Sequence, residues 1–190
     1  RRGGGASGYR TEDYRMNHYT GIGARATPAP ILAIMTSAAA ALARKGYILR
    51  SGHAEGADTA FEHGARDGGA GDTSKIYLPA ARWRGSHSQL HAGAIEPQVW
   101  REAERIAALH HPAWGRLSPF VKALHTRNVF QILGQDLSSH PRFVICWTAD
   151  GDASGGTGQA LRIAHSENVP VLNLQRTNHL AHVRDQLALA

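Results

Sequence analysis

The chain of 190 residues has one cysteine, Cys146, which excludes an intramolecular disulfide. That scarcity suits a reducing compartment, and a cytoplasmic location is expected. No apolar run approaches the ~20 residues of a membrane-spanning helix, and no secretion signal is read, so no membrane partner is expected. Acidic side chains are the scarcer charge, 15 against 21 Lys and Arg, leaving a net +6 and a pI near 10. This balance favours anionic partners, but by itself it does not choose between nucleic acid, free nucleotide and a merely basic surface. Histidines number 12 and are scattered. His87 and His91 have the helical spacing of a metal pair but no third ligand accompanies them, so neither metal nor cofactor is expected. Charged residues are only 19% and hydrophobic ones 42%, a composition that builds one real core rather than a disordered chain. No repeat of solenoid length is present.

Residues 1–15 have no hydrophobic period, and Met16 reads as a natural start. Residues 1–16 are therefore expected to be a flexible extension, appended or upstream, before a single domain at 17–190. That domain is organised around Tyr19-Thr20-Gly21-Ile22-Gly23-Ala24-Arg25-Ala26-Thr27-Pro28. The stretch reads as a buried strand end, a glycine turn and a helix start, with Thr27 as N-cap and Pro28 in the first turn. Gly21 and Gly23 allow close approach to the main chain, and Arg25 adds a charge beside the positive end of the helix dipole.

A βα rhythm follows. Strands are expected at 18–22, 47–50, 74–78, 143–147 and 170–173. Helices are expected at 28–45, 57–65, 96–109, 120–133, 157–168 and 177–189. The fold class is α/β: a Rossmann-like three-layer sandwich with a mostly parallel sheet of about five or more strands. The rhythm breaks at about 80–119, where Arg82-Trp83-Arg84, Trp100-Arg101 and Trp114-Gly115-Arg116 interleave aromatics with cations. This insertion reads as an elaboration covering the sheet edge, or as a flap that stacks on bases.

Parallel topology places three strand-to-helix junctions on one edge, where their backbone donors would surround a shared crevice. These are the first glycine loop, Ser51-Gly52-His53-Ala54-Glu55-Gly56-Ala57-Asp58, and Gly155-Gly156-Thr157-Gly158-Gln159. Arg25 and Arg127, with Arg50 as a further candidate, offer fork-shaped cations suited to phosphate. Asn128 and Gln159 offer donor–acceptor pairs for a base or ribose. Asp58 reads equally as a helix cap or a ligand contact, and Glu55 sits inside its loop with no evident structural task.

In this order, Gly-x-Arg, Ser-Gly-x-Ala-x-Gly-x-Asp, Arg-Asn within a helix and Ser-Gly-Gly-Thr before another, the chain resembles the DprA/Smf (DNA-processing protein A) family. That family belongs to the SLOG superfamily, which it shares with the lonely-guy phosphoribohydrolases. The resemblance covers about 19–174, with 80–119 poorly matched. It implies a crevice that binds the phosphates of a nucleotide, a nucleotide-derived ligand or single-stranded DNA. The expected site residues are Gly21, Gly23, Arg25, Ser51, Gly52, Glu55, Gly56, Asp58, Arg127, Asn128, Gly155, Gly156, Thr157 and Gln159. A homo-oligomer, a dimer, is also expected.

Two departures bear on chemistry. Val129 stands where the DprA pattern has a second arginine, and Arg162 stands where the phosphoribohydrolases keep a catalytic Glu. A binding protein is therefore the leading expectation. A nucleotide N-glycosidase is the alternative, with Glu55 as its only candidate catalytic acid. Gly21-Ile22-Gly23-Ala24-Arg25-Ala26 also fits a dinucleotide fingerprint, but Arg50 replaces the expected acidic residue, leaving an NADP-type site as a third reading.

Overall fold

Short strands that bury both faces have little polar surface to offer water, and their side chains divide between two cores. A computed structural model of the protein describes residues 17–189; the extension read at 1–16 lies outside the described residues. The strands are β1 (His18–Gly21), β2 (Ile48–Ser51), β3 (Lys75–Leu78), β4 (Leu90–His91), β5 (Val144–Cys146) and β6 (Val171–Asn173). The helices are α1 (Ala29–Arg44), α2 (Ala57–Asp67), α3 (Pro97–Leu109), α4 (Pro119–Leu133), α5 (Gly155–Ser166) and α6 (Thr177–Leu187).

The strands form one sheet in the order β4-β3-β2-β1-β5-β6, and every pairing is parallel. Alternation along β5 shows how the layers arise. Val144 and Cys146 join a core with Phe130, Ile132 and Leu161 from α4 and α5, whereas Ile145 and Trp147 join Met35, Phe61 and Val183 from α1, α2 and α6. One face of the sheet thus carries α3, α4 and α5, and the other carries α1, α2 and α6. The result is the Rossmann-like three-layer α/β architecture read from the sequence.

Two local readings are corrected, and one strand is added within the expected five or more. The sheet has a sixth strand, β4, inside the 80–119 insertion; Tyr77 pairs with Leu90 and Leu78 with His91. Two residues carry no readable alternation, and a side chain helps to hold this strand: Ser88 Oγ donates to Ile76 O at 2.6 Å. Thr27 is not the N-cap of α1. Its hydroxyl donates back to Ala24 O at 2.7 Å, closing the turn, and Pro28 takes the cap position without a side-chain bond. Helix α5 begins at Gly155, two residues before the expected start, so its glycines form the first helical turn. The tryptophans of the insertion divide their tasks: Trp100 packs on Phe130 with ring centroids 5.5 Å apart, while Trp83 reaches the crevice.

Helices α1 and α2 cross at small residues. A Cβ built on Gly64 would collide with the backbone carbonyl of Thr36, and Thr36 Oγ1 bonds across to Ala60 O at 3.1 Å. Gly64→Ala is therefore expected to lose about 3 kcal/mol of stability in urea titration, the upper end for overpacking. Gly46→Ala, at φ +80 in open space, should lose only about 1 kcal/mol. Equal losses for the two would contradict the close approach of these helices.

Candidate functional site

The strand order reverses direction between β1 and β5, and α/β proteins place ligand crevices at the carboxyl ends of strands at such a point. Here Ile22 N donates to Ile145 O at 3.2 Å and Ala24 N to Trp147 O at 3.1 Å, continuing the seam past the strands. Above it opens a pocket of about 600 Å³. One wall is Gly23, Ala24 and Arg25; another is Thr148, Ala149 and the first turn of α5. A third is a stripe of α4 from Phe120 and Leu124 through Arg127 and Asn128 to Gln131, spaced as one helical face. Trp83 and Arg84 approach from the insertion.

The three helix starts at this edge differ in what they leave unpaired. The first turn of α1 includes Pro30, which has no N–H, and Ile31 N returns to Pro28 O. In the loop before α2, the Asp58 carboxylate accepts from the amides of Ala54 and Gly23, so that anion site is already filled by the protein. Helix α5 is different. Its N-cap Ser154 makes no side-chain cap bond, because its hydroxyl donates to Asp150 Oδ1 at 2.7 Å. The first amides of a helix have no intrahelical acceptor. At α5 they belong to Gly155, Gly156 and Thr157, which line the pocket, and nothing lies within 4 Å of the Cβ positions of the two glycines.

The loop before α5 is held firmly. Asn173 Nδ2 donates to Thr148 Oγ1 at 2.7 Å, and Arg176 Nε donates to Gly151 O at 3.1 Å. A loop held in this way does not pay an ordering cost should anything bind at it.

Beneath the pocket lies a buried polar network. Arg127 and Asp58 are 6% and 3% exposed, and Arg127 Nη1 meets Asp58 Oδ2 at 3.4 Å. Burial pushes the Asp58 carboxyl up and the Arg127 guanidinium down, and their mutual attraction opposes both shifts. The Gln131 amide accepts from Arg127 Nη1 at 2.8 Å and from Gly52 N at 3.0 Å, and donates to Asn128 Oδ1 at 3.1 Å. Asn128 Nδ2 continues to Gln159 Oε1 at 3.2 Å and Gly156 O at 3.4 Å. The ring of Trp83 lies over Arg127, 5.6 Å from its guanidinium carbon.

The structure divides the expected site residues. Gly23, Arg25, Asp58, Arg127, Asn128, Gly155, Gly156 and Thr157 line one pocket. Gly21, Ser51, Gly52 and Gly56 lie behind its surface. The space a Cβ would take is filled by Phe61 at Gly21 and by Arg127 at Gly52; at Gly56, with φ +85, it is filled by the backbone of Ala24 and Arg25. Ser51 Oγ donates to Gly21 O at 2.7 Å. Gln159 is fully buried within the network. Glu55 is exposed and pairs with Arg84 at the rim. Arg50 turns to the far end of α4, where Nη1 donates to Ser139 O, and does not line the pocket.

Phe120, His125 and Gln131 were not singled out in the sequence. Stepping from Arg127-Asn128 by helical turns along α4 would have reached all three. His125 is 8% exposed, and its Nδ1 has no hydrogen-bond partner among the described residues. Burial chiefly, then the neighbouring His111 ring 4.5 Å away, pushes its pKa from 6.5 down to about 4.

The fold and site define a Rossmann-like α/β protein with a preformed crevice at its topological switch point. No family model matches the chain, and no curated protein or solved structure does either.

Two outcomes follow from the buried groups. Asp58→Ala leaves Arg127 buried and unpaired, so it should cost about 3–5 kcal/mol in chemical denaturation. Adding Arg127→Ala to it should cost less than the sum of the single changes, and additive losses would show that the two do not interact. The second outcome concerns pH. With its folded pKa depressed, His125 stays neutral while the unfolded chain takes up a proton. It therefore withdraws stability as pH falls from 6.5 through about 4. His125→Gln should flatten that part of the stability–pH curve, and an unchanged slope would place the titration elsewhere.

Proposed function

We propose that this protein binds a nucleotide or nucleotide-derived ligand by its phosphate, at the amino-terminal turn of α5. The supporting observation is the composition of one pocket. Unspent amides and uncovered glycines of α5 form its anion-binding end, and Trp83 with half-exposed Phe120 forms a planar apolar end. A nucleotide has those two parts, a phosphate suited to a helix N-terminus and a base suited to aromatic faces. Arg25, exposed at the mouth with no hydrogen bond or ion pair to it among those of the described residues, supplies a charge for the phosphate.

The resemblance to the DprA/Smf family and the wider SLOG group supports the same reading. Its specific residues, Ser51-Gly52, Ala54, Gly56 and Asp58, lie at and just beneath the floor of the pocket. Single-stranded DNA is the second ligand class, favoured by the net positive charge of the chain and by Arg25 at the mouth. A strand neutralises several phosphates, so its binding would fall steeply with salt, whereas a mononucleotide would show a shallow dependence.

The N-glycosidase reading has less support. Glycosidic cleavage needs a carboxylate free to face the sugar. Asp58, which lines the pocket, is engaged by Arg127 and backbone amides, and Glu55 is held outside by Arg84. Arg162 spends its guanidinium on the carbonyls of His110 and Ala153. The NADP-type reading loses its phosphate partner, because Arg50 is buried elsewhere.

Gly156→Asp places a negative charge in open space at a helix N-terminus, where it favours the helix but opposes an incoming anion. The melting temperature should hold or rise. Affinity for a nucleoside monophosphate, measured by calorimetry, should fall about tenfold or more, and Arg25→Ala should also weaken it. If both variants bind like the parent, the phosphate does not sit at this turn.

A further inference from the structure

We propose that His125 is a direct contact of the bound anion, taking a proton on Nδ1 as the ligand enters, and that the site thereby selects a terminal phosphate monoester over an internal phosphodiester. This rests on the phosphate-binding reading of the pocket and deepens it to a ligand class.

The geometry begins with two unmet hydrogen bonds. His125 and Arg127 are both more than nine-tenths buried, both line the pocket, and His125 Nδ1 and Arg127 Nε lack a hydrogen-bond partner among the described residues. A buried polar atom without a partner carries a desolvation penalty that a native structure rarely leaves unrelieved. Here the two belong to side chains two residues apart on the α4 wall of the crevice, and a small rotation of the imidazole would bring its Nδ1 to an acceptor oxygen of an entering ligand. His125 also shares a face of α4 with Asn128, whose amide reaches Gly156 O at 3.4 Å. That bond ties this face to the first turn of α5, so the imidazole and the unspent amides border the same space.

The surrounding charges give the proton its reason. His111 faces the ring from the α3–α4 connection, and Arg127 and Arg162 act on it from α4 and α5. Arg25 and Arg84 stand across the pocket, and Asp58 from α2 is already bound to Arg127. Burial and this cationic surround keep the ring neutral in the free protein, with its pKa near 4. An entering oxyanion supplies the missing opposite charge, and the imidazolium becomes favourable. The Nδ1 lone pair takes a proton from solvent, and the new N–H donates to a phosphate oxygen. No bond in the ligand forms or breaks. A terminal phosphate brings up to two negative charges and three acceptor oxygens, whereas an internal diester brings one charge and two free oxygens. Coupling to a proton favours the ligand with the second charge.

The test uses the full chain and inorganic sulfate, which stays dianionic throughout the range and so contributes no titration of its own. The His125 ring is followed by NMR from pH 7.5 to 4, with and without saturating sulfate at matched ionic strength. Its pKa should rise by about two units or more, and sulfate should then bind about tenfold tighter at pH 5 than at pH 7.5, as linkage requires. At pH 6.5 a nucleoside monophosphate should bind roughly tenfold tighter than its phosphate methyl ester. His125→Gln should abolish both the pH dependence and the ester discrimination. If that variant fails to fold, the ring titration of the unaltered protein still decides. Anions that bind without moving the His125 titration, or equal affinity for the two esters, would overturn the inference while leaving phosphate binding intact. Absence of binding by sulfate and nucleotide at every pH would overturn the phosphate-binding reading itself.

Discussion

The buried pair of Arg127 and Asp58 is the constraint around which the crevice is built. Two charges taken from water cost several kcal/mol each unless their bonds are met, and here the surroundings are arranged to meet them. Asp58 gathers backbone amides from Ala54 and Gly23 as well as the guanidinium. Arg127 gains the Gln131 amide and the face of Trp83. Residue 52 must be glycine because the guanidinium occupies the place of its Cβ. Four parts of the chain, the first glycine loop, the loop before α2, helix α4 and the insertion, are thereby fixed relative to one another.

That network also decides which helix start is left with unspent amides. A helix N-terminus binds an anion only if its amides are not already spent. At α2 the protein supplies its own anion, Asp58, and at α1 prolines remove donors. The remaining junction, at α5, keeps its amides because Ser154 is drawn away to Asp150. Three similar sequence loops thus have three different fates, and the difference lies in which neighbour reaches each first.

The electrostatics of the pocket are correspondingly lopsided. Its carboxylate is neutralised from below, its rim carboxylate Glu55 is paired with Arg84, and Arg25 is left over at the mouth. His125 adds an imidazole that burial and its cationic neighbours hold neutral. Such a surround suits the proposed phosphate and offers little to the developing positive charge of glycosidic cleavage.

Much of this was legible in the sequence. The alternation of apolar strands with helical periods, punctuated by Gly46, Pro79 and Pro119, determined the α/β class, because hydrophobic period and turn chemistry are local properties. The glycine-rich junctions and Arg127-Asn128 marked which loops would meet, since parallel topology carries strand ends to one edge. The two-residue strand β4 was not legible, as its place depends on Ser88 and on the edge of β3 rather than on its own pattern. Nor could sequence tell a glycine that faces a ligand from one that makes room for a side chain. Gly52 and Gly156 look alike in a loop motif, yet one is covered by a guanidinium and the other faces open space. The tertiary structure alone decided that, because hydrogen-bond partners and free volume are set by segments distant in the chain. For the same reason it alone turned Arg127 from a free cation into the anchor of the floor, and brought His125 to the wall of the pocket.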